Sequence, residues 1–200
     1  MNTTVFTSRS TMRLSIALRW VGYSVLVGCL GCSRTPVAEL AAKLTDADHD
    51  VRYEAAKKLE EYGPEAAEAA PALAAALSDP VSKVRYRSAK ALSKIGIGAS
   101  AAAEELAAAL QKPTIQPKTR YYIVKTLANI EDAAIVALPE LIATLQKKED
   151  VKTRYFAAKA LGKIGPEAQT AVGALEQARK DSDRKLRKAA TEALVKVRRS

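Results

Sequence analysis

The chain contains few of the residues that build β-sheet cores, disulfide frameworks and metal sites. Aromatic residues make up 5% of its 200 positions, and it has two cysteines and one histidine. Both cysteines lie before residue 33, so neither a disulfide framework nor a cysteine-based metal site is expected in the rest of the chain. Alanine and leucine are abundant instead. This composition favours helices that pack through small side chains over strands rich in valine, isoleucine and threonine.

Acidic residues are also few relative to basic ones, and the excess of positive charge is unevenly distributed. The chain has 32 lysines and arginines against 22 acidic residues, a formal net charge of +10. Residues 1–32 contain three arginines and no acidic residue, and residues 179–200 contain nine basic residues against three acidic ones. The segment between them is nearly neutral. The excess favours partners with negatively charged surfaces.

The N-terminal segment has the pattern of a secretory signal. No charged residue lies between Arg19 and Arg34, and every charged residue before this segment is basic. The uncharged segment is shorter than the roughly 20 apolar residues that span a bilayer. A basic region followed by a short apolar region is typical of a signal peptide. Met12 is an alternative start that would give a more compact signal.

The end of this apolar segment, Leu26-Val27-Gly28-Cys29, resembles the bacterial lipobox. The resemblance implies that Cys29 receives diacylglycerol and becomes the first residue after cleavage; Cys32 is the alternative. We therefore predict a lipoprotein signal peptide at 1–29, a short linker at 30–35 and a folded region at 36–200. A cleaved signal without lipid, or a buried N-terminal helix, would also fit the pattern.

Five similar segments follow, each centred on an arginine. The arginines are spaced 33 to 35 residues apart, and four of them are followed directly by a tyrosine. They are Arg52, Arg85, Arg120, Arg154 and Arg187. A period of this length indicates stacked helix pairs, none of which can bury its apolar face alone.

Within each unit, a shorter helix is predicted before the arginine-containing one. The shorter segments carry leucines four residues apart, for example Leu73 and Leu77, which lie on one helical stripe. Glycines that can adopt a left-handed conformation end the second helices: Gly63, Gly96 and Gly165. Prolines following two of these glycines are predicted to begin the next helix. The third unit has Asn129-Ile130-Glu131 in place of the glycine. The sequence therefore predicts an all-α superhelix of about five hairpins.

The repeated string Val-Arg-Tyr-x-Ala-Ala-Lys-Ala-Leu-x-Lys-Ile-Gly resembles the short bacterial HEAT repeats, including those named for phycobilisome lyases. This resemblance covers about residues 36–198. It implies an armadillo/HEAT-type solenoid whose second helices line the concave face. It also implies that the five arginines are a structural ladder, pairing with acidic residues in turns of adjacent units rather than binding an anion. The candidate acidic residues are Asp48, Asp50, Asp79, Asp150 and Asp183.

Four tyrosine–lysine pairs are the candidate partner-binding residues. Each tyrosine follows a ladder arginine, and each lysine lies four residues further on, so the two are neighbours on the helix surface opposite the buried face. The pairs are Tyr53 with Lys57, Tyr86 with Lys90, Tyr121 with Lys125, and Tyr155 with Lys159. Tyrosine offers rigid contact area and lysine offers charge complementarity to an acidic protein. The same tyrosines could instead only cover the ridge between helices.

No catalytic constellation is found in the sequence. His49 lies between Asp48 and Asp50, but one histidine does not make a zinc or di-iron centre. Residues 33–200 contain no nucleophile elbow, no phosphate-binding glycine loop and no cysteine. We therefore predict a chain that is not an enzyme and that requires no metal or cofactor.

The leading hypothesis is a protein-binding scaffold, exported and anchored by lipid on the periplasmic side of a membrane or at the cell surface. An intracellular nucleic-acid binder and an accessory subunit of a lyase- or hydroxylase-type enzyme are the alternatives. Export argues against nucleic acid as a partner. The basic segment 179–200 is interpreted as a polar cap of the last repeat, although it could also contact anionic lipid or nucleic acid. The sequence does not indicate an oligomeric state.

Overall fold

The computed structural model describes residues 36–147 and 150–199. These residues belong to one compact unit, Arg34–Ser200. Cys29 and Cys32, the predicted lipidation sites, lie outside the described residues. In the part of the chain that the structure describes, no helix is both long and apolar enough to cross a membrane.

The described residues form five helical hairpins and contain no β-strand. The first helices of the hairpins are α1 Pro36–Lys43, α3 Ala70–Ala75, α5 Ala103–Gln111, α7 Leu138–Gln146 and α9 Val172–Ala178. The second helices are α2 His49–Tyr62, α4 Ser82–Ile95, α6 Pro117–Leu127, α8 Val151–Ile164 and α10 Arg184–Val197. The predicted all-α solenoid of about five hairpins is confirmed.

Each second helix except the last is followed by a seven-residue 3-10 segment before the next α-helix begins. These segments are Gly63–Ala69, Gly96–Ala102, Glu131–Ala137 and Gly165–Ala171. Pro64 and Pro166 therefore lie in the first turn of 3-10 segments, and the prediction that they begin the next α-helix is wrong. Ala66 and Ala168 inside these segments have non-helical ψ angles of 15° and 26°, which separate the proline turn from the following helix.

The turns that end the second helices share one backbone conformation. Gly63, Gly96 and Gly165 have φ angles of 57°, 72° and 77°, which confirms that glycines with positive φ end these helices. Their ψ angles of −126°, −131° and −139° lie outside the left-handed helical region. In the third unit Glu131 occupies the equivalent position and has a φ of 57°. The repeat geometry is therefore kept there by a residue for which this conformation is unfavourable.

The core lies between a layer of first helices and a layer of second helices. Its largest fully buried side chains are mainly leucines contributed by both layers, including Leu59, Leu73, Leu92, Leu106 and Leu161. The second helices contact one another more extensively than the first helices do. Their layer is thus the more closely spaced side of the stack, as expected for the inner face of a curved solenoid.

Candidate partner-binding surface

The five ladder arginines hold the turn that precedes their own helix. Each guanidinium donates to main-chain carbonyl oxygens of that turn, such as Arg85 to Asp79 O at 2.7 Å and Arg187 to Ser182 O at 2.7 Å. The corresponding acceptors of the other three arginines include Asp46 O for Arg52, Leu110 O for Arg120 and Leu145 O for Arg154. These carbonyls belong to the connecting turn or, for Leu110 and Leu145, to the last turn of α5 and α7, where a carbonyl has no donor within its own helix. The guanidinium groups therefore satisfy them and fix the hairpin connection.

Arg52 and Arg154 also reach the turn of the next repeat. Arg52 Nε donates to Asp79 Oδ2 at 2.6 Å, and Arg154 donates to Asp181 Oδ2 at 2.6 Å. Both carboxylates lie 27 residues after their arginine. Burial alone would raise the pKa of Asp79, but hydrogen bonds from Arg52 and from the Val81 N–H outweigh it and hold the pKa below its ordinary value.

Three of the other acidic residues named as arginine partners have a different role. The side chains of Asp48, Asp150 and Asp183 cap α2, α8 and α10, respectively, by accepting hydrogen bonds from main-chain N–H groups of the first turn. Arg154 pairs with Asp181 rather than with Asp150 or Asp183. A carboxylate that caps its own helix points at that helix, so it is turned away from the guanidinium of the neighbouring unit.

The four tyrosine–lysine pairs lie on second helices, but their lysines have two kinds of surroundings. Lys57 lies 3.4 Å from a carboxylate oxygen of Glu54, and Lys90 lies 2.7 Å from one of Glu60. The ammonium groups of Lys125 and Lys159 instead lie over the ring of Phe156, at 6.0 and 5.9 Å from its centroid. The four pairs are therefore divided into an N-terminal half, in which the lysines pair with acids, and a C-terminal half, in which the lysines lie over aromatic rings. The N-terminal half consists of Tyr53, Lys57, Tyr86 and Lys90, and the C-terminal half of Tyr121, Lys125, Tyr155 and Lys159.

A charge network between the first two repeats holds the cations of the N-terminal half against Glu60. Glu60 accepts hydrogen bonds from Arg87 at 2.9 Å and pairs with Lys90 at 2.7 Å. Arg87 also donates to the hydroxyl of Tyr53 at 2.8 Å and lies over the rings of Tyr53 and Tyr86. Burial opposes ionisation of Glu60, but the two cations hold its pKa below the ordinary value. The polar side chains of this half therefore already contact one another.

A row of aromatic rings, which we call the aromatic ladder, crosses the second helices from the second repeat to the fourth. Successive centroids are 5.0 to 5.7 Å apart and the rings meet edge to face, at 73° to 78°. In order along the ladder the rings are Tyr86, Tyr122, Tyr121, Phe156 and Tyr155. Edge-to-face pairs at these distances are favourable beyond the area they bury. Burial and a hydrogen bond with Tyr86 raise the pKa of Tyr122 to about 12, so the Tyr122 hydroxyl is uncharged at neutral pH.

Tyr122 and Phe156 were missed by the sequence analysis. They lie two residues after a ladder arginine, where the other three repeats carry Glu54, Arg87 and Ala189. Because the residue type at this position changes from repeat to repeat, it does not appear in the consensus string. A scan for aromatic residues at any repeat position adjoining the tyrosine would have found both.

A groove of about 870 Å³ lies at the C-terminal end of the aromatic ladder, between α8 and α10. We call it the C-terminal groove. Its apolar wall is formed by Tyr121, Tyr155 and Phe156. Four cationic side chains also line it: Lys152, Arg184, Lys185 and Lys188. Val151, Ala189 and two acids, Asp183 and Glu192, complete the lining. Asp183 caps α10, and Glu192 lies 3.8 Å from Lys188.

The only group of potential metal ligands found among the described residues is Asp48, His49 and Asp50. Their ligand atoms lie within 4.8 Å of one another, and all three residues are exposed. Asp48 accepts a hydrogen bond from the Asp50 N–H, and His49 Nδ1 lies 3.1 Å from Asp50 Oδ1. These are contacts of a helix cap, and they give this turn a structural role.

Solved structures similar to this chain are armadillo- and HEAT-type repeat proteins. An engineered protein is 26% identical over 80% of this chain and 78% of its own, with a TM-score of 0.69. A designed armadillo repeat protein in complex with the peptide (KR)4 is 20% identical over 79% of this chain and 80% of its own, also with a TM-score of 0.69. The complex of CpcE and CpcF of phycocyanin lyase from Nostoc sp. PCC7120 is 21% identical over all of this chain and 71% of its own, with a TM-score of 0.63.

The sequence comparisons agree with the architecture. No curated protein is significantly similar to the chain in sequence. The family model for HEAT repeats matches residues 37–116 and 115–195, which together cover nearly all of the described residues. The chain therefore belongs to the HEAT-repeat family.

Proposed function

We propose that the chain is a non-catalytic scaffold that binds a protein partner through its second helices. The observation that carries the proposal is the aromatic ladder from Tyr86 to Tyr155, which presents half-buried rings across three repeats. Half-exposed aromatic side chains held rigid by their neighbours are typical centres of protein interfaces. Peptide binding by this fold has a precedent in the designed armadillo repeat protein that holds (KR)4.

The charges beside the ladder favour an acidic partner. Lys125 and Lys159 lie over rings rather than beside carboxylates, and the C-terminal groove adds four cations against two acids. In the N-terminal half, by contrast, Lys57 and Lys90 are paired with Glu54 and Glu60. An acidic partner would gain electrostatic complementarity in the C-terminal half, where positive charge is not already neutralised.

A photo-crosslinking residue placed in the ladder tests this proposal. Replacing Tyr155 by benzoylphenylalanine keeps an aromatic ring in the ladder, and the matched control carries the same residue at the exposed Ala75 of α3. We expect a discrete crosslinked partner in intact cells from position 155 and none from position 75. Equal crosslinking from both positions, or none from either, would contradict a partner-binding second-helix layer.

The proposed scaffold is exported and anchored to a bacterial membrane by lipid on Cys29, or alternatively on Cys32. This part of the proposal is supported by the resemblance of residues 26–29 to the lipobox and by the basic, then apolar, segment before it. The anchor would place the solenoid on the periplasmic side of a membrane or at the cell surface. Several acyl chains would hold it firmly, since each buried methylene contributes about 0.8 kcal/mol.

Metabolic labelling with a fatty-acid analogue tests the anchor. Label is expected on the wild-type chain and on one of the two single variants, Cys29→Ala or Cys32→Ala, and it is expected to disappear from the other. The unlabelled variant should also leave the membrane fraction. Label retained in the double variant, or a wild-type chain recovered without lipid, would refute the anchor without touching the binding proposal.

An accessory subunit of a lyase-type enzyme is the second candidate function. The complex of CpcE and CpcF of phycocyanin lyase supports it, at an identity that shows the fold alone. Visible absorption of the chain purified from its native cells distinguishes the two functions. A scaffold is expected to absorb only in the ultraviolet, whereas a stoichiometric chromophore band would favour the accessory role.

A further inference from the structure

The C-terminal groove differs in both charge and shape from the rest of the surface that the second helices form. It lies between α8 and α10, its volume of about 870 Å³ is within the range of ligand sites, and aromatic rings form one wall. In the fifth repeat the tyrosine–lysine pair is replaced by Lys188 and Glu192, so the ladder ends at Tyr155 and a positively charged wall faces it. This is the place where apolar surface and an excess of positive charge meet.

We infer that this groove binds a short acidic peptide segment that inserts one apolar side chain against Tyr121, Tyr155 and Phe156. This inference rests on the proposed partner-binding role and specifies its site and ligand. The apolar side chain would be covered by the three rings. Carboxylates on either side of it would face the exposed ammonium groups of Lys152 and Lys185 at the N-terminal turns of α8 and α10.

The same surface is poorly suited to single-stranded nucleic acid. Bases stack on exposed aromatic faces, whereas these rings meet one another edge to face and carry the ammonium group of Lys159 at 5.6 to 5.9 Å. The carboxylates of Asp183 and Glu192 also line the groove and would repel a continuous polyanion. A short peptide whose carboxylates lie on either side of an apolar residue meets less of this repulsion, and its main-chain N–H groups can donate to the two acids.

The repeats supply matched variants for a direct test. Lys83, Lys118, Lys152 and Lys185 occupy the same repeat position, two residues before a ladder arginine, and all four are exposed. Lys152 and Lys185 line the groove, whereas Lys83 and Lys118 do not. The double variants Lys152→Glu/Lys185→Glu and Lys83→Glu/Lys118→Glu therefore change the net charge equally at equivalent positions. Circular dichroism should show that both stay folded.

The probe is a fluorescein-labelled peptide with one leucine between two pairs of glutamates, titrated into the full chain by fluorescence anisotropy. We expect binding to wild type and to Lys83→Glu/Lys118→Glu with affinities within about twofold, and binding at least about tenfold weaker to Lys152→Glu/Lys185→Glu. A peptide with serine in place of leucine, and one with lysines in place of glutamates, should both bind more weakly to wild type.

Several outcomes would overturn the inference. These are absence of binding, equal weakening by both double variants, equal binding of the serine peptide, and tighter binding of a fluorescein-labelled oligothymidine. If the peptide does not bind while position 155 still crosslinks to a partner, only this inference fails. If position 155 does not crosslink, the proposed function fails instead.

Discussion

Glu131 is the one residue other than glycine, among those the structure describes, with a positive φ. It has the positive φ that Gly63, Gly96 and Gly165 have at the equivalent position of other repeats, and a positive φ costs a residue with a side chain about 1–3 kcal/mol. Its carboxylate lies 3.3 Å from Lys163, a contact between largely solvated groups that contributes little. We therefore predict that Glu131→Gly raises the free energy of unfolding by about 1 kcal/mol, measured by urea denaturation.

Two further variants separate backbone strain from charge. Glu131→Gln keeps the side chain and should leave stability within a few tenths of a kcal/mol of wild type. Gly96→Ala should lower the free energy of unfolding by about 1 kcal/mol. An added Cβ would contact nothing within 4 Å, so the cost arises from the φ of 72° alone. A destabilised Glu131→Gly variant would show that the ion pair outweighs the strain.

Ser88 is fully buried, and its hydroxyl has no hydrogen-bond partner in the described structure. Alanine occupies the equivalent position in the first, fourth and fifth repeats. An unsatisfied buried hydroxyl costs about 1–3 kcal/mol, so Ser88→Ala should stabilise the chain by about 1 kcal/mol in thermal or urea unfolding. Ser93→Ala is the control. The Ser93 hydroxyl donates to Lys90 O at 2.8 Å, so removing this hydroxyl should not raise the free energy of unfolding.

At the scale of the elements, α8 and α10 pack closely against each other at Gly162. A Cβ at this position would lie 2.8 Å from the Cα of Ala193. The backbone of α10 would have to move, so Gly162→Ala should destabilise the chain by about 1–3 kcal/mol. Gly173→Ala in α9 is the control, because nothing lies within 4 Å of its added Cβ, and it should stabilise by about 0.5–1 kcal/mol. Equal effects at the two glycines would contradict the observed helix crossing.

The ion pair between Arg52 and the turn of the next repeat makes stability depend on pH. Hydrogen bonds hold the pKa of Asp79 below its ordinary value despite burial, and the same direction holds for Asp181. The resulting stabilisation is complete above the unfolded-state pKa of about 3.9 and is lost as the pH falls through the folded-state pKa. Urea unfolding between pH 7 and pH 3 should therefore show a steeper decline for wild type than for Asp79→Asn. Parallel curves would show that the pair is not formed in solution.

The sequence predicted the elements because their signals repeat. The period of 33 to 35 residues, the paired leucines and the glycines that end the second helices each recur in several units. The 3-10 segments were not predicted, because Pro64 is equally compatible with the first turn of an α-helix and of a 3-10 helix. The choice of Asp181 over Asp183 as a partner of Arg154 depends on the path of a turn, which spacing alone does not fix.

Across the whole described region, the candidate surface was predicted only in part. The tyrosines and lysines were identified by their repetition, but their division into two halves arises from residues that do not repeat. Glu60 pairs with Lys90 in the N-terminal half, whereas Tyr122 and Phe156 contact the tyrosines of the C-terminal half and form the aromatic ladder with them. These contacts link residues on neighbouring second helices, so they become visible only once the helices are stacked. The residues that recur in every repeat thus located the surface, and the residues that differ between repeats define the half that we propose binds the partner.

Hydrogen–deuterium exchange of the full chain, with and without its crosslinked partner, tests the central claim most directly. If the second helices of the C-terminal half bind the partner, slowed exchange should concentrate in α6, α8 and α10, with little change in α3, α5 and α7. Protection confined to the first helices, or spread evenly over both layers, would contradict this account.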